Sequence, residues 1–130
     1  MMETVALLVS ALLFGGMVLY AFGFAAFVFS ALPPEVASPT IRRAFPFFYL
    51  FVFFASAIAA ICLALINAVS AGILAAIALS TVPTRQILMP AINHASDANN
   101  KARFKLLHSL SVIVTLAHIA AAAYVLTRFI

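Results

Sequence analysis

The sequence predicts an all-α integral membrane protein, a bundle of four apolar helices. Three observations carry this. The 130-residue chain is 67% hydrophobic and 8% charged, more apolar surface than a water-soluble domain of this size can hide. No charged residue occurs between Arg43 and Arg85. As one helix that stretch would run about 60 Å, twice a hydrocarbon core of about 30 Å, so it must fold back on itself. The apolar runs are also continuous and alanine-rich over about twenty residues, whereas a barrel strand alternates over about ten.

The first span is expected over residues 4–32. It ends at Pro33-Pro34, because proline lacks an amide proton and clashes with the preceding turn. It is read as a retained span and not a signal peptide: it carries Glu3, lacks a basic leader, and exceeds an h-region of about 7–15 residues. The second and third spans are expected over residues 44–66 and 69–88, with the hairpin turn at Asn67–Ser70. Ser38 before Pro39 has the form of an N-cap, which would start the second helix earlier and leave a kink at Pro46. The fourth span is expected over residues 106–127. Ser96 is the expected cap of a helical extension leading into it, with Asp97 and Lys101 in the favourable i, i+4 order for an ion pair. A single transmembrane domain thus covers residues 1–130.

With four spans, Arg42, Arg43, Arg85, Lys101, Arg103 and Lys105 share one side of the membrane and Arg128 stands alone on the other. The positive-inside rule then puts both termini on the non-cytoplasmic side. The six clustered cations form the expected headgroup-binding set, so the net charge of +4 calls for anionic lipid and not nucleic acid. Small residues let helix backbones approach in lipid, and two rows are expected as contact faces. These are Gly15, Gly23, Ala26 and Ser30 in the first span, and Ser56, Ala60 and Ala64 in the second. The partners implied are the bilayer itself and either further copies of the chain or a larger membrane complex.

The stretches "FPFFY", "NAVSAG" and "LMPAINHASDANNKARFKLLHSLSVIV" resemble the transmembrane-protein-205-like family of small four-helix membrane proteins, most clearly in the "RFxxLHxxS" arrangement of Phe104, Leu107, His108 and Ser111. More distantly, the layout is similar to copper-resistance-D-like proteins. The resemblance implies a bacterial inner membrane for this chain. In animal relatives it implies resistance to platinum drugs through sulfur-bearing side chains, for which this chain offers Cys62 alone.

Taking about 100° per residue, Ser111, Thr115 and His118 fall within an arc of roughly 60°, with His108 about 20° beyond. This polar stripe should face the bundle interior, because an unsatisfied polar group in hydrocarbon costs several kcal/mol. Depth counting brings Tyr20, Ser56 and Ser80 to the level of His118. A candidate polar cluster therefore comprises His118, Thr115, Ser111, His108, Tyr20, Ser56 and Ser80. His108 and His118 are the candidate metal ligands, with haem b or copper as the cofactors they could serve. The two lie roughly 15 Å apart along the helix, so they cannot be the two axial ligands of one iron within a monomer. Met17, Cys62 and Met89 are scattered soft donors, better accounted for by packing.

No acidic residue lies inside the spans and no glycine-rich phosphate loop appears, so no catalytic residue is assigned. Two functions from different classes are expected. The first is a non-enzymatic accessory or scaffold unit. The second is binding or transport of a metal, haem or small hydrophobic solute along the stripe on span four. A lipid-modifying enzyme built on His108 and the arginines is a weaker third.

Overall fold

A computed structural model describes residues 1–130. It contains four helices long and apolar enough to cross a membrane: α1 (Met2–Ala31), α2 (Pro34–Leu63), α3 (Ala68–Asp97) and α4 (Lys101–Thr127). The chain is an all-helical, membrane-compatible bundle with no strands. Successive helices pack side by side and α4 returns to α1, giving a ring in the order α1–α2–α3–α4. One end carries both termini and is called the terminal end. The other, where the clustered cations lie, is the basic end.

Three of the expected boundaries move. α2 begins at Pro34 and not at residue 44, with Pro34 as its first residue and Glu35 favourably placed in its first turn. Ser38 lies inside this helix and caps nothing. At 30 residues, α2 is about 45 Å long, so its first turns reach beyond the hydrocarbon core. The hairpin turn falls just before Asn67, whose side chain caps α3 by accepting a hydrogen bond from Ser70 N at 3.1 Å.

The largest correction concerns the segment between the third and fourth spans. Its helical part extends α3 and not α4, running on to Asp97. The stop is chemical. Asn99 adopts φ 54°, a left-handed conformation that asparagine tolerates, while Asn100 N donates to Ala95 O and Asn99 N to Ser96 O. This is the paired hydrogen-bond closure of a helix C-terminus. Asn100 then caps α4, its Oδ1 accepting from Arg103 N at 3.2 Å. Because the chain reverses between them, Asp97 does not pair with Lys101 along one helix. It reaches across to Arg42 of α2, with Oδ1 and Nη1 2.9 Å apart.

Two turns of π-helix interrupt the long helices, at Leu19–Phe24 in α1 and Thr84–Leu88 in α3. Pro83 and Pro90 bracket the second, each removing a backbone donor, while the hydroxyls of Thr81 and Thr84 donate to Ile77 O and Ser80 O. A π turn carries an extra residue and rotates the remainder of the helix about its axis. The small-residue row expected on α1 is not a contact face. Gly15, Gly23, Ala26 and Ser30 all point outward, and the buried stripe is Ala6, Ser10, Leu13 and Met17. The close backbone approach is at Gly16 instead, where the ring of Phe51 occupies the space a Cβ would need. On α2, Ser56 is fully buried but Ala64 is exposed, so that row is only partly a contact face.

The bundle is tight at the terminal end and looser at the basic end. In α4, Ala122 and Val125 are completely buried, whereas Ser111 and Thr115 retain 8% exposure each. In α1, four of the five buried residues precede the π turn and only Val28 lies beyond it. Arg128 ties the terminal end together: Nε donates to Ser70 Oγ at 3.0 Å, Nη2 to Asn67 Oδ1 at 3.3 Å and Nη1 to the Tyr124 hydroxyl at 3.2 Å. The residue counted as the lone cation of that side thus anchors α4 to the α2–α3 hairpin.

Ser10 Oγ is buried with no hydrogen-bond partner, a state that costs stability. Ser10→Ala should therefore hold or raise the thermal midpoint in detergent. Leu13→Ala, on the same stripe, should lower stability by about 2–5 kcal/mol through the void it leaves. A fall for Ser10→Ala as large as that for Leu13→Ala would mean that the hydroxyl has a partner.

Candidate functional site

The splayed half of the bundle encloses a cavity of about 380 Å³ lined by all four helices. Its origin lies in the path of α1. After the π turn, Ala25–Ala31 stays packed on α2 and has little contact with α4, which leaves a lateral gap between α1 and α4. Phe22 and Phe29 line the α1 side of that gap, and Phe104 and His108 the α4 side; all four are exposed. Phe104 and His108 stack with ring centroids 5.5 Å apart and planes 8° from parallel, as expected for neighbours four residues apart on a helix. The gap opens between the flanks of two helices, on the side of the bundle.

The walls are apolar, from Ala21 and Ala25 of α1, Phe45 of α2, Met89 and Ile92 of α3, and Val112 of α4. Phe45 is held by an aromatic group with Tyr20, Phe48 and Tyr49, at centroid separations of 5.2–6.3 Å. The Tyr20 hydroxyl fixes this group by donating to Ala44 O at 2.7 Å, which locks α1 to α2 beside the cavity. The polar groups separate by depth. Ser38, Arg42, Asn93, Ser96 and His108 lie towards the basic end. Tyr49 and Thr115 lie about 10 Å further in, each two helical turns beyond Arg42 or His108. Both residues are more than nine-tenths buried and line the cavity, and neither hydroxyl is among the sealed, unpartnered oxygens, of which Ser10 Oγ is the one.

The seven residues of the expected cluster, His118 included, divide into separate sets. His108, Ser111 and Thr115 line the cavity, with Ser111 Oγ donating to His108 O at 2.7 Å. His118 is not part of it. Its Nε2 lies 2.8 Å from Ser80 Oγ on α3, across the outer part of the α3–α4 contact. Ser80 Oγ also lies 3.1 Å from Ile77 O, so both contacts are used when the serine proton goes to that carbonyl and Nε2 donates to Oγ. Tyr20 is committed to Ala44, and Ser56 Oγ donates back to Val52 O at 2.6 Å within its own helix. The physical reason is that serine in an apolar helix finds its nearest acceptor one turn back, which leaves no need for a distant partner.

No three His, Cys, Asp or Glu side chains converge to form a metal-binding group, so His108 and His118 remain separate imidazoles. Among the cations, Arg85 is committed inside the bundle, donating from Nε to Pro46 O at 3.2 Å, and Arg42 pairs with Asp97. Arg43, Lys101, Arg103 and Lys105 are exposed at the basic end. Sequence reasoning missed Tyr49, Asn93 and the Arg42–Asp97 pair. The "FPFFY" stretch was a usable signal for Tyr49, a hydroxyl within an otherwise apolar aromatic run.

Fold and cavity together define an integral membrane four-helix bundle with a lateral opening. The chain belongs to the family described as Domain of unknown function (DUF4149), which matches residues 8–101. The comparisons give no evidence of similarity to transmembrane-protein-205-like or copper-resistance-D-like proteins. Of the stretches that carried the resemblance, "FPFFY" and "NAVSAG" lie within the matched residues and "RFxxLHxxS" lies beyond them. No curated protein and no solved structure matches the chain.

A double-mutant cycle with His118→Leu and Ser80→Ala should give a coupling of about 0.6 kcal/mol, the usual size for a hydrogen bond between membrane helices. Coupling indistinguishable from zero would show that the two side chains do not bond across α3 and α4.

Proposed function

We propose that this protein binds a small amphiphilic molecule that enters sideways from the bilayer into the four-helix cavity. The observation that carries the reading is an apolar chamber lined by all four helices, with Tyr49 and Thr115 among its lining and neither hydroxyl hydrogen-bonded within the chain. Hydroxyls left open to such a chamber are available to water or to a ligand. A volume of about 380 Å³ lies within the range of about 300–1,000 Å³ typical of small-molecule sites, and apolar walls with a few convergent polar groups are their usual chemistry.

The cavity reverses the order expected from composition and motifs, where an accessory or scaffold unit stood first. Of the ligands considered for span four, a small hydrophobic solute fits these walls, while metal or haem has no convergent donor set to support it. The basic end is proposed to face the cytoplasm, on the strength of the exposed Arg43, Lys101, Arg103 and Lys105.

The chain has no tryptophan, so Phe29→Trp places a single reporter at the mouth of the cavity. In nanodiscs, a brominated long-chain alcohol should quench it saturably. Val112→Phe, which fills the chamber, should remove the saturable component while preserving the thermal midpoint, and Ala25→Leu should do the same. Equal, non-saturable quenching in all three proteins would refute the binding role.

A further inference from the structure

We infer that the polar end of this cavity selects a carboxylate: the preferred ligand is a single-chain amphiphile with one negative charge, held by Arg42. The inference deepens the proposed binding role and rests on it. Arg42 is the one cation among the residues that line the cavity, and no acidic residue lines it. A single guanidinium, with side-chain donors from Ser38, Asn93, Ser96 and His108 around it, matches one negative charge. The chamber takes one chain or its near end, and the lateral gap lets the remainder extend into the bilayer. A whole two-chain lipid does not fit within it.

The state of Arg42 shows how a carboxylate would be received. Its Nη1 already holds one, Asp97 Oδ1 at 2.9 Å, and Nη2 makes a long contact of 3.5 Å to Asn93 O. Asp97 does not line the cavity; its side chain is 64% exposed, and that of Arg42 39%. An ion pair this wet is weak, so exchanging it for a carboxylate anchored by a buried chain is inexpensive. Asp97 therefore acts as an internal competitor. It keeps the guanidinium aimed at the basic end of the cavity and gives way when a tethered carboxylate arrives from below. The fork of the guanidinium favours two-point contact with a planar carboxylate, which lysine would not provide.

The test uses the Phe29→Trp reporter in zwitterionic nanodiscs, with a dibrominated fatty acid and its methyl ester as probes. The acid should bind at least tenfold more tightly than the ester, as expected for a charge-assisted hydrogen bond. Arg42→Gln should erase that preference, while Arg43→Gln, which alters an exposed cation outside the cavity, should retain it. Asp97→Asn should tighten acid binding by about two- to fivefold and leave the ester unchanged. That variant keeps Arg42, so the inference stays testable even if Arg42→Gln is unstable.

Saturable binding of acid and ester with equal affinity would overturn the carboxylate assignment and leave the cavity role standing. Loss of preference in Arg43→Gln as well would also overturn it, because general surface potential would then explain the effect. Displacement of the acid by an equal amount of anionic two-chain lipid would overturn the single-chain assignment. If neither probe binds saturably, the cavity role itself fails and this inference with it.

Discussion

In a bilayer the solvent offers no hydrogen bonds, so every polar group on this chain must find its partner within the chain or at a membrane surface. Much of the structure obeys that constraint. Serine and threonine hydroxyls turn back onto their own helices, as Ser56, Thr81 and Thr84 do. Helix ends close on asparagines, with Asn67 and Asn100 as caps and Asn99 as the left-handed terminator. Arg128 spends its donors on Asn67, Ser70 and Tyr124 at a helix end, where the chain leaves the hydrocarbon. Against that background Tyr49 and Thr115 stand out, because they line a void and their hydroxyls make no hydrogen bond within the chain.

The void has a mechanical origin. Four straight helices of this composition would pack along their whole length. Here α1 changes course at Leu19–Phe24 and α3 at Thr84–Leu88, with Pro83 and Pro90 preventing a regular ladder in the latter. The terminal half keeps its core, where Leu63, Leu74, Ala122 and Val125 are buried together. The basic half opens between α1 and α4. Aromatic packing around Phe45 and the bond from Tyr20 to Ala44 keep the α1–α2 wall rigid, so the opening is one-sided.

The four helices were legible in the sequence because an uncharged stretch from Arg43 to Arg85 is too long for one crossing and too apolar for water. The hairpin was legible from Asn67 and Ser70 to within a few residues. Other features were not. The third span was expected to stop at residue 88, yet the helix continues through a π turn to Asp97. The buried face of α1 was illegible because apolar residues surround the helix on every side, so periodicity distinguishes no face. On the α4 stripe, Ser111 and Thr115 are both buried. His118 sits on the same stripe but meets Ser80 further along, past the end of the cavity. Tyr49 was hidden among phenylalanines, where a hydroxyl reads as one more aromatic ring.

A binding role requires the basic half of the bundle to be hollow beneath Arg42 while the same helices are solid a few turns away. Thiol accessibility compares the two directly. In a Cys62→Ser background, Thr115→Cys and Ser56→Cys place a thiol at the cavity floor and in the closed core. A hollow basic half predicts that Cys at 115 reacts with a small methanethiosulfonate reagent in the folded protein and is shielded by an added amphiphile, while Cys at 56 stays inert. Equal inertness at both positions would mean that the four helices close along their full length and that there is no chamber to fill.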